Sequence, residues 1–173
     1  MDARRRPPAD TKRLSFAEMT ADDLDDMAAL LGDAAVMRYY PRLKTRAEAL
    51  DWISWNQDLY QREGFGLWAI RLRATGEFVG DCGLTPQDVE GTVEVELGYH
   101  VRNDLQGLGY ATEAATACRD HARHVLGLSR LVAIIDPDNK PSQRVAEKIG
   151  LRFERDATYR SGQQRVRVHA SAR

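Results

Sequence analysis

Two glycines, Gly107 and Gly109, stand at the start of a stretch whose other residues favour a helix, DLQGLGYATEA at residues 104–114. Glycine costs a helix interior about 1 kcal/mol relative to alanine, but it suits a backbone that takes an unusual dihedral or closely approaches another molecule. The N–H groups at a helix N-terminus lack partners, and the helix dipole favours an anion there. The two glycines therefore mark either a tight turn alone or a turn that binds a phosphate group.

Three phosphate-binding patterns can be compared with this stretch. A P-loop requires GxxxxGK[ST], and the stretch has no such lysine. A dinucleotide fingerprint requires GxGxxG after the first strand, whereas these glycines follow the fourth predicted strand, without an acidic residue on a second strand at the right distance. The third pattern, Q/R-x-x-G-x-G/A, is matched by Gln106, Gly109 and Ala111. It offers backbone N–H groups to a pyrophosphate, with no β-carbons at the two glycines to hold the ligand away.

The segment before this turn, TVEVELGYHV at residues 92–101, alternates as a strand does. One face carries Val93, Val95, Leu97, Tyr99 and Val101, and the other carries Glu94, Glu96, Gly98 and His100. A strand–turn–helix–strand unit places the helix N-terminus at the carboxyl end of the strand, where open α/β sheets bind ligands. We therefore expect Glu96 to lie in a cleft and to be functional, with Glu94 as a second candidate. The alternative is the polar outer side of a half-exposed strand.

Seven strands and four helices are predicted from periodicity and from helix start and stop signals. The predicted strands are 12–18, 66–73, 77–84, 92–101, 130–136, 152–159 and 164–169, and the predicted helices are 21–31, 45–62, 109–125 and 139–149. The last two strands form a hairpin that turns at Ser161 and Gly162. This order predicts one α/β (α+β) domain at residues 12–170, with a mixed central sheet of about six to seven strands flanked by about four helices. Residues 1–11 are predicted to be a disordered leader.

The composition excludes several classes of protein. The chain has 173 residues and a formal net charge of −1, which suits one globular domain and provides no basic field for nucleic acid or anionic lipid. No apolar run approaches the roughly 20 residues of a membrane span, and the start lacks the apolar segment of a signal peptide.

Cys82 and Cys118 have no metal-ligand spacing, so we expect two buried thiols in a cytoplasmic protein. His121 and His124, at i and i+3, are expected to face solvent, and no metal is predicted.

Several motifs together resemble one known family. In chain order they are TKRL, GFGLWAI, FVGDCGL, VELGY, QGLGYATEA and DPDNKPSQRVAEKIGLRF. Their order and spacing resemble the GCN5-related N-acetyltransferase (GNAT) superfamily, and within it the branch of ribosomal-protein N-terminal acetyltransferases, from about Lys12 to Ala170. The resemblance implies a GNAT fold and transfer of an acetyl group from acetyl-CoA directly to an amine, without a metal or a covalent enzyme intermediate.

The resemblance also implies site residues. The residues implied to bind acetyl-CoA are Leu97, Tyr99, Val101, Gln106, Gly107, Leu108, Gly109, Tyr110, Ala111, Thr112 and Asn139. Glu96 occupies the position of the family's base, and a backbone N–H near Gly98 or Tyr99 would stabilise the oxyanion. Many relatives carry a tyrosine as acid where this chain has Ala146, so Ser142 is the predicted substitute, with Tyr159 as a further option. Ala17 replaces an arginine found in many relatives, and its effect stays open.

The amine acceptor is left open by the sequence. The resemblance places the first two helices and their connecting loop at the acceptor side, so Met37, Arg38, Tyr39, Tyr40, Trp52 and Trp68 are either core residues or acceptor contacts. Asp81, Glu94 and Glu96 would suit a cationic amine, or they form a solvated face. The acceptor is a protein N-terminus or a small amine, such as an antibiotic or a polyamine. The alternatives are a non-catalytic acyl-CoA sensor and an unrelated nucleotide-binding domain, and the protein is a monomer or a homodimer.

Overall fold

The computed structural model describes residues 3–160 and 162–172, in which the predicted order of strands and helices is confirmed. The helices are α1 (Leu24–Leu31), α2 (Arg46–Glu63), α3 (Tyr110–His124) and α4 (Lys140–Lys148). The strands are β1 (Leu14–Ala17), β2 (Leu67–Leu72), β3 (Phe78–Val89), β4 (Thr92–Val101), β5 (Val132–Ile135), β6 (Arg152–Tyr159) and β7 (Gln164–Ala170). Short 3-10 helices occur at Ala3–Arg5, Ala21–Asp23 and Asn103–Leu105. Ser161, half of the predicted hairpin turn, lies outside the described residues.

The sheet has seven strands in the order β1-β2-β3-β4-β5-β7-β6, which confirms the mixed sheet. Its neighbours are antiparallel except for β4 and β5, which run parallel and are paired at one position, Glu96 opposite Val132. Beyond this position β4 and β5 diverge. Side chains of α3 and α4 pack with Leu97 and Val101 in one core, whereas α1 contributes to a second core with β2. The divergence therefore lies at the centre of the sheet, between two layers of helices.

Local sequence signals account for several helix boundaries. The Thr45 hydroxyl accepts a hydrogen bond from the Glu48 N–H, and the Glu48 carboxylate accepts one from the Thr45 N–H, so a capping box begins α2. Gly64 ends α2 with φ +79°, a conformation that glycine adopts without a steric penalty. The helix predicted at 21–31 begins instead as a 3-10 turn at Ala21–Asp23 and becomes α-helical only from Leu24.

Some predicted details are wrong for reasons that are visible in the packing. β3 continues to Val89 rather than ending at 84, because residues 85–89 pair with the first half of β4. At this end of the hairpin the covered face is the opposite one: Val89 is completely buried in a core with Ala157 and Val166, whereas Val93 is 71% exposed although the alternation places it on the core face. His121 was expected to face solvent but is buried beneath the edge of Trp68, with 5.6 Å between the ring centroids.

Part of the predicted leader has defined contacts with the domain. Pro8 is buried, and the Thr11 hydroxyl donates a hydrogen bond of 2.7 Å to Glu113 on α3. Met1 and Asp2 lie outside the described residues, and the domain boundary at residue 12 stays a prediction. Cys82 and Cys118 are both buried free thiols, as expected. Among the helices in the described ranges, none is both long and apolar enough to cross a membrane.

Candidate functional site

A cavity of about 500 Å³, here called the central cavity, opens where β4 and β5 diverge. Strand β4 contributes Glu96, Gly98, Tyr99 and His100 to its wall. The remaining lining residues come from α2 and the loop before it, β3, β5 and the segment after it, α4, and the β6–β7 hairpin, and they include Tyr40, Trp52, Ser142, Tyr159 and Arg160. The predicted cleft at Glu96 therefore exists, and both predicted catalytic side chains, Glu96 and Ser142, line it.

Glu96 is a half-buried carboxyl group without a hydrogen-bond or ion-pair partner among the described residues. Burial raises its pKa to about 8, an effect that the positive charge of Arg160 partly opposes. A β-carbon at Gly98 would approach the Glu96 Oε1 to 3.1 Å. Glycine at position 98 therefore leaves room for this carboxyl group. Burial of the group favours its protonated form near neutral pH.

The other two carboxylates of the acidic set have partners. Glu94 forms an ion pair of 3.0 Å with Arg130, which also bonds Glu154, so this second candidate stabilises the junction of neighbouring strands. Asp81 is completely buried and lies 2.8 Å from His100 Nδ1. The expectation of three carboxylates facing one cationic amine, or of a solvated acidic face, is therefore wrong, because Glu96 alone of the three keeps an unpaired carboxyl group toward the cavity.

Tyr99 and Ser142 form a hydroxyl pair on the opposite side of β4 from the Glu96 face. The Tyr99 hydroxyl lies 2.8 Å from Ser142 Oγ and 3.2 Å from the Ser142 carbonyl oxygen. Burial raises the pKa of Tyr99 well above its usual value, so its phenol stays protonated and can donate. The sequence assigned Tyr99 to acetyl-CoA binding and its backbone N–H to the oxyanion, but it gave the hydroxyl group no role, because the pairing joins β4 to α4 over 43 residues and leaves no local pattern.

Residues around Ser142 explain its position. The Asn139 side chain accepts a hydrogen bond of 3.2 Å from the Ser142 N–H and caps α4, so its oxygen has a structural partner. Ala146, where many relatives carry a tyrosine, is buried. Tyr159, the further option for an acid, bonds the Gln87 side chain through its hydroxyl, and burial raises its pKa to about 12.

The stretch from Gln106 to Thr112, here called the glycine turn, leads into α3. Gly107 and Gly109 have φ +76° and +84°, which disfavours any residue with a β-carbon. A β-carbon at Gly107 would meet no atom within 4 Å, so its surroundings are open. No side chain caps the N-terminus of α3, which leaves the first N–H groups of this helix available to an anion. The turn therefore fits a phosphate group.

Hydrogen bonds and an ion pair of neighbouring side chains hold the backbone of the glycine turn in place. The Gln106 amide donates to the Val101 carbonyl oxygen at 3.1 Å. Arg13 donates to the Leu108 carbonyl oxygen at 2.8 Å, forms an ion pair of 2.6 Å with Glu113, and lies over the Tyr110 ring. Arg13 and Glu113 were missed because they are 100 residues apart. A basic side chain on the first strand and an acidic one on α3 carry no pairing signal in a single sequence.

The remaining predicted contacts divide between core and cavity. Leu97 and Val101 are buried in the core, so they could contact a ligand only through their backbone. Ala111 and Thr112 lie in the first turn of α3, half-buried. Met37 and Trp68 are core residues, while Tyr39, Tyr40 and Trp52 line the central cavity. Arg38 is exposed beside Tyr39, and Trp55 is a lining residue that sequence reasoning missed.

Comparison with known proteins agrees with this architecture. The acetyltransferase (GNAT) domain matches residues 13–152. The uncharacterized protein YkkB of Bacillus subtilis is 38% identical over 155 residues, which span 90% of each chain. The crystal structure of an acetyltransferase from Agrobacterium tumefaciens superimposes with a TM-score of 0.84 at 25% identity, covering 97% of this chain and 95% of that one. RimL, a ribosomal L7/L12 alpha-N-protein acetyltransferase solved with coenzyme A, shares the fold with a TM-score of 0.77 at 19% identity, covering 92% and 94%.

Strands that diverge at a central cavity and a glycine turn before an uncapped helix are the features expected of an acyltransferase fold, although the described residues that line the cavity include none from the glycine turn. The chain belongs to the GNAT family, because the acetyltransferase (GNAT) domain matches residues 13–152, most of its length. It is an acetyl-CoA-dependent N-acetyltransferase, which confirms the predicted class of enzyme. In residues 3–160 and 162–172, no three His, Cys, Asp or Glu side chains cluster as metal ligands would.

Proposed function

We propose that this enzyme acetylates a primary amine by direct transfer, with Glu96 as the base and Ser142, supported by Tyr99, as the acid. The observation that carries the proposal is the position of Glu96, whose carboxyl group lines the central cavity without a partner among the described residues; burial there raises its pKa to about 8. Acetyl-CoA supplies an acetyl group activated as a thioester. We assign its pyrophosphate to the N–H groups of the glycine turn and its pantetheine arm to the backbone of β4 at Leu97, Tyr99 and Val101.

Glu96 accepts the proton that the amine must lose. A general base works best when its pKa lies near the operating pH, and burial gives Glu96 such a value. The amine nitrogen forms a bond to the acetyl carbon, and its proton passes to the Glu96 carboxylate directly or through a water molecule. A backbone N–H at Gly98 or Tyr99 donates to the acetyl carbonyl oxygen as negative charge develops there.

Ser142 donates the proton that the departing sulfur needs. When the carbon–sulfur bond breaks, the Ser142 hydroxyl protonates the thiolate, and the Tyr99 hydroxyl, 2.8 Å away, returns a proton to Ser142. Tyr99 then recovers its proton from water that enters the central cavity. Both hydroxyl groups line the central cavity. This pair replaces the tyrosine that position 146 lacks.

The acceptor class is a primary amine, either a protein N-terminus or a small amine. The relatives that support this class act on both kinds: RimL is an alpha-N-protein acetyltransferase, and a relative 28% identical over 140 residues is the spermidine N(1)-acetyltransferase of Escherichia coli. In this chain the aromatic rings of Tyr40 and Trp52 and the carboxyl group of Glu96 border the same cavity. Aromatic faces and a carboxylate both attract an ammonium group.

The test is the substitution Glu96→Gln, which keeps the size of the side chain and removes the base. Loss of a general base lowers kcat by about 10²–10⁴-fold, whereas acetyl-CoA binding measured by calorimetry should not change. Turnover is followed as free thiol released in the presence of a panel of primary amines. Glu63→Gln, an exposed position at the end of α2, is the matched control and should retain full activity. Unchanged turnover in the Glu96 variant would refute the assignment.

A further inference from the structure

His100 is held by a buried carboxylate in one orientation. Asp81 lies opposite His100 in the β3–β4 pairing and is completely buried. Its Oδ1 accepts the His100 backbone N–H at 3.0 Å and lies 2.8 Å from His100 Nδ1, while its Oδ2 accepts the Trp52 indole N–H at 3.2 Å. A carboxylate can only accept hydrogen bonds, so Nδ1 carries a hydrogen, and in the neutral ring Nε2 is an acceptor.

That acceptor has no partner. His100 is 7% exposed, and its Nε2 atom is buried without a hydrogen bond among the described residues. The Tyr40 and Trp52 rings flank it, with centroids 5.0 and 6.0 Å from the imidazole centroid. All three side chains line the central cavity. Since an unpaired buried nitrogen costs free energy, its retention at the cavity wall points to a ligand donor that binds there.

The position of His100 relative to Glu96 sets the geometry of such a ligand. The two residues lie on the same face of β4, four positions apart, which corresponds to about 13 Å along a strand. An acceptor whose reacting amine lies at Glu96 therefore reaches His100 only if it continues along the cavity by about that length. Tyr40 comes from the loop between α1 and α2 and is 38% exposed, so its displacement would uncover Nε2.

We propose that the Asp81–His100 pair anchors the distal end of the acceptor, with Nε2 accepting a hydrogen bond from a second N–H or O–H donor of the amine substrate. The inference rests on the proposed function for the position of the reacting amine. The acceptor is then bifunctional: a primary amine with a second donor group about a nanometre away. An ammonium donor suits the site because aromatic faces attract cations, and Lys44 already places its ammonium 5.2 Å from the centre of the Trp52 ring.

The probes are unbranched α,ω-diamines of increasing length and the matching monoamines. The variant His100→Asn keeps an N–H for Asp81 and lacks Nε2, and His124→Asn, an exposed position on α3, is the control. In the wild type, the longer diamines should have a lower KM than monoamines of equal length. Loss of one hydrogen bond to a charged donor should raise the KM for these diamines about tenfold in His100→Asn, with kcat and the KM for monoamines unchanged.

Binding measured by calorimetry in the presence of CoA provides a second readout that does not require turnover. If the wild type acetylates no amine but binds the longer diamines more tightly than monoamines, and His100→Asn removes that preference, the proposed function fails and the anchor stands. The anchor is overturned if wild type shows no preference for diamines, or if His100→Asn leaves the preference unchanged. It is also overturned if the variant, with wild-type thermal stability, loses kcat equally for both amine series, since that result indicates a catalytic role.

Discussion

The glycine turn and the central cavity use the chain in different ways. The glycine turn presents backbone N–H groups, and its two glycines suit this arrangement because they have no β-carbon. The central cavity is lined by side chains from two helices, six strands and their connections, among them Tyr40, Glu96 and Arg160. The turn is one continuous stretch of sequence, whereas the cavity brings together residues more than a hundred positions apart.

This difference separates the binding of the coenzyme from the choice of the amine acceptor. We assign the constant partner, acetyl-CoA, to the backbone site because N–H groups and a helix dipole recognise a phosphate whatever the neighbouring side chains are. A side-chain site can change its acceptor by single substitutions. We therefore expect changes at the glycine turn to affect coenzyme binding, and changes at the cavity wall to affect chemistry and acceptor choice.

The largest expected effect tests the backbone half of this comparison. Gly107→Ala introduces a β-carbon at φ +76°, where nothing lies within 4 Å, and Gly76→Ala does the same at φ +76° in the β2–β3 turn. Both variants carry the same strain, about 1 kcal/mol. Only the Gly107 variant should weaken acetyl-CoA binding, by about 10–100-fold as measured by calorimetry. Equal binding by the two variants would place the pyrophosphate elsewhere.

A smaller effect is expected from the hydroxyl pair on the other side of β4. Ser142→Ala and Tyr99→Phe should each lower kcat about tenfold, which is less than the full 10²–10⁴-fold acid–base contribution because a thiolate leaves readily with little protonation, and neither should weaken acetyl-CoA binding. Because the two hydroxyl groups act in sequence on one proton, the double variant should lose no more than either single variant. Multiplicative losses in a double-mutant cycle of kcat would show that they act independently.

The smallest effect concerns the charge that faces Glu96. Arg160 lowers the pKa of Glu96 against the effect of burial, so Arg160→Gln should raise that pKa above about 8. Glu96 must be ionised to accept a proton, so kcat/KM rises with pH through this pKa, and the midpoint should move to higher pH. The expected shift is a few tenths of a pH unit because Arg160 is exposed and its charge is screened.

The control for this experiment is Arg165→Gln, an exposed arginine on β7, whose pH profile should match that of wild type. Raising the ionic strength should reduce the difference between wild type and Arg160→Gln, since salt screens exposed charges. A midpoint that moves to lower pH in Arg160→Gln would contradict the assigned direction.

The order of secondary structure was predictable because the signals that specify it are local. The capping box at Thr45 and Glu48 and the glycine at position 64 fixed the ends of α2 to within a residue or two. The extension of β3 to Val89 was not predictable, since residues 85–89 include a proline and three polar residues and become a strand only by pairing with β4.

The candidate site, like the fold, was predictable only in part. Alternation along β4 predicted that Glu96 lies in a cleft, and the family resemblance singled out Ser142; both side chains line the central cavity. Neither alternation nor spacing could show that Glu94 is neutralised by Arg130, that Tyr99 meets Ser142, or that Asp81 and His100 form a pair. These pairings are set by strand register and helix packing over long sequence distances, which a single sequence does not reveal.

Because β4 and β5 pair at a single position, they leave a stretch of strand edge unpaired in the middle of the sheet. Unpaired strand edges are places where a chain opens or takes up another extended segment. A coenzyme that lies along β4 takes the place of the missing neighbour, so it serves as a removable part of the sheet as well as a substrate. Because a ligand that binds only the native state stabilises it in proportion to the logarithm of its concentration, we expect the free energy of unfolding of this protein to rise with the concentration of acetyl-CoA.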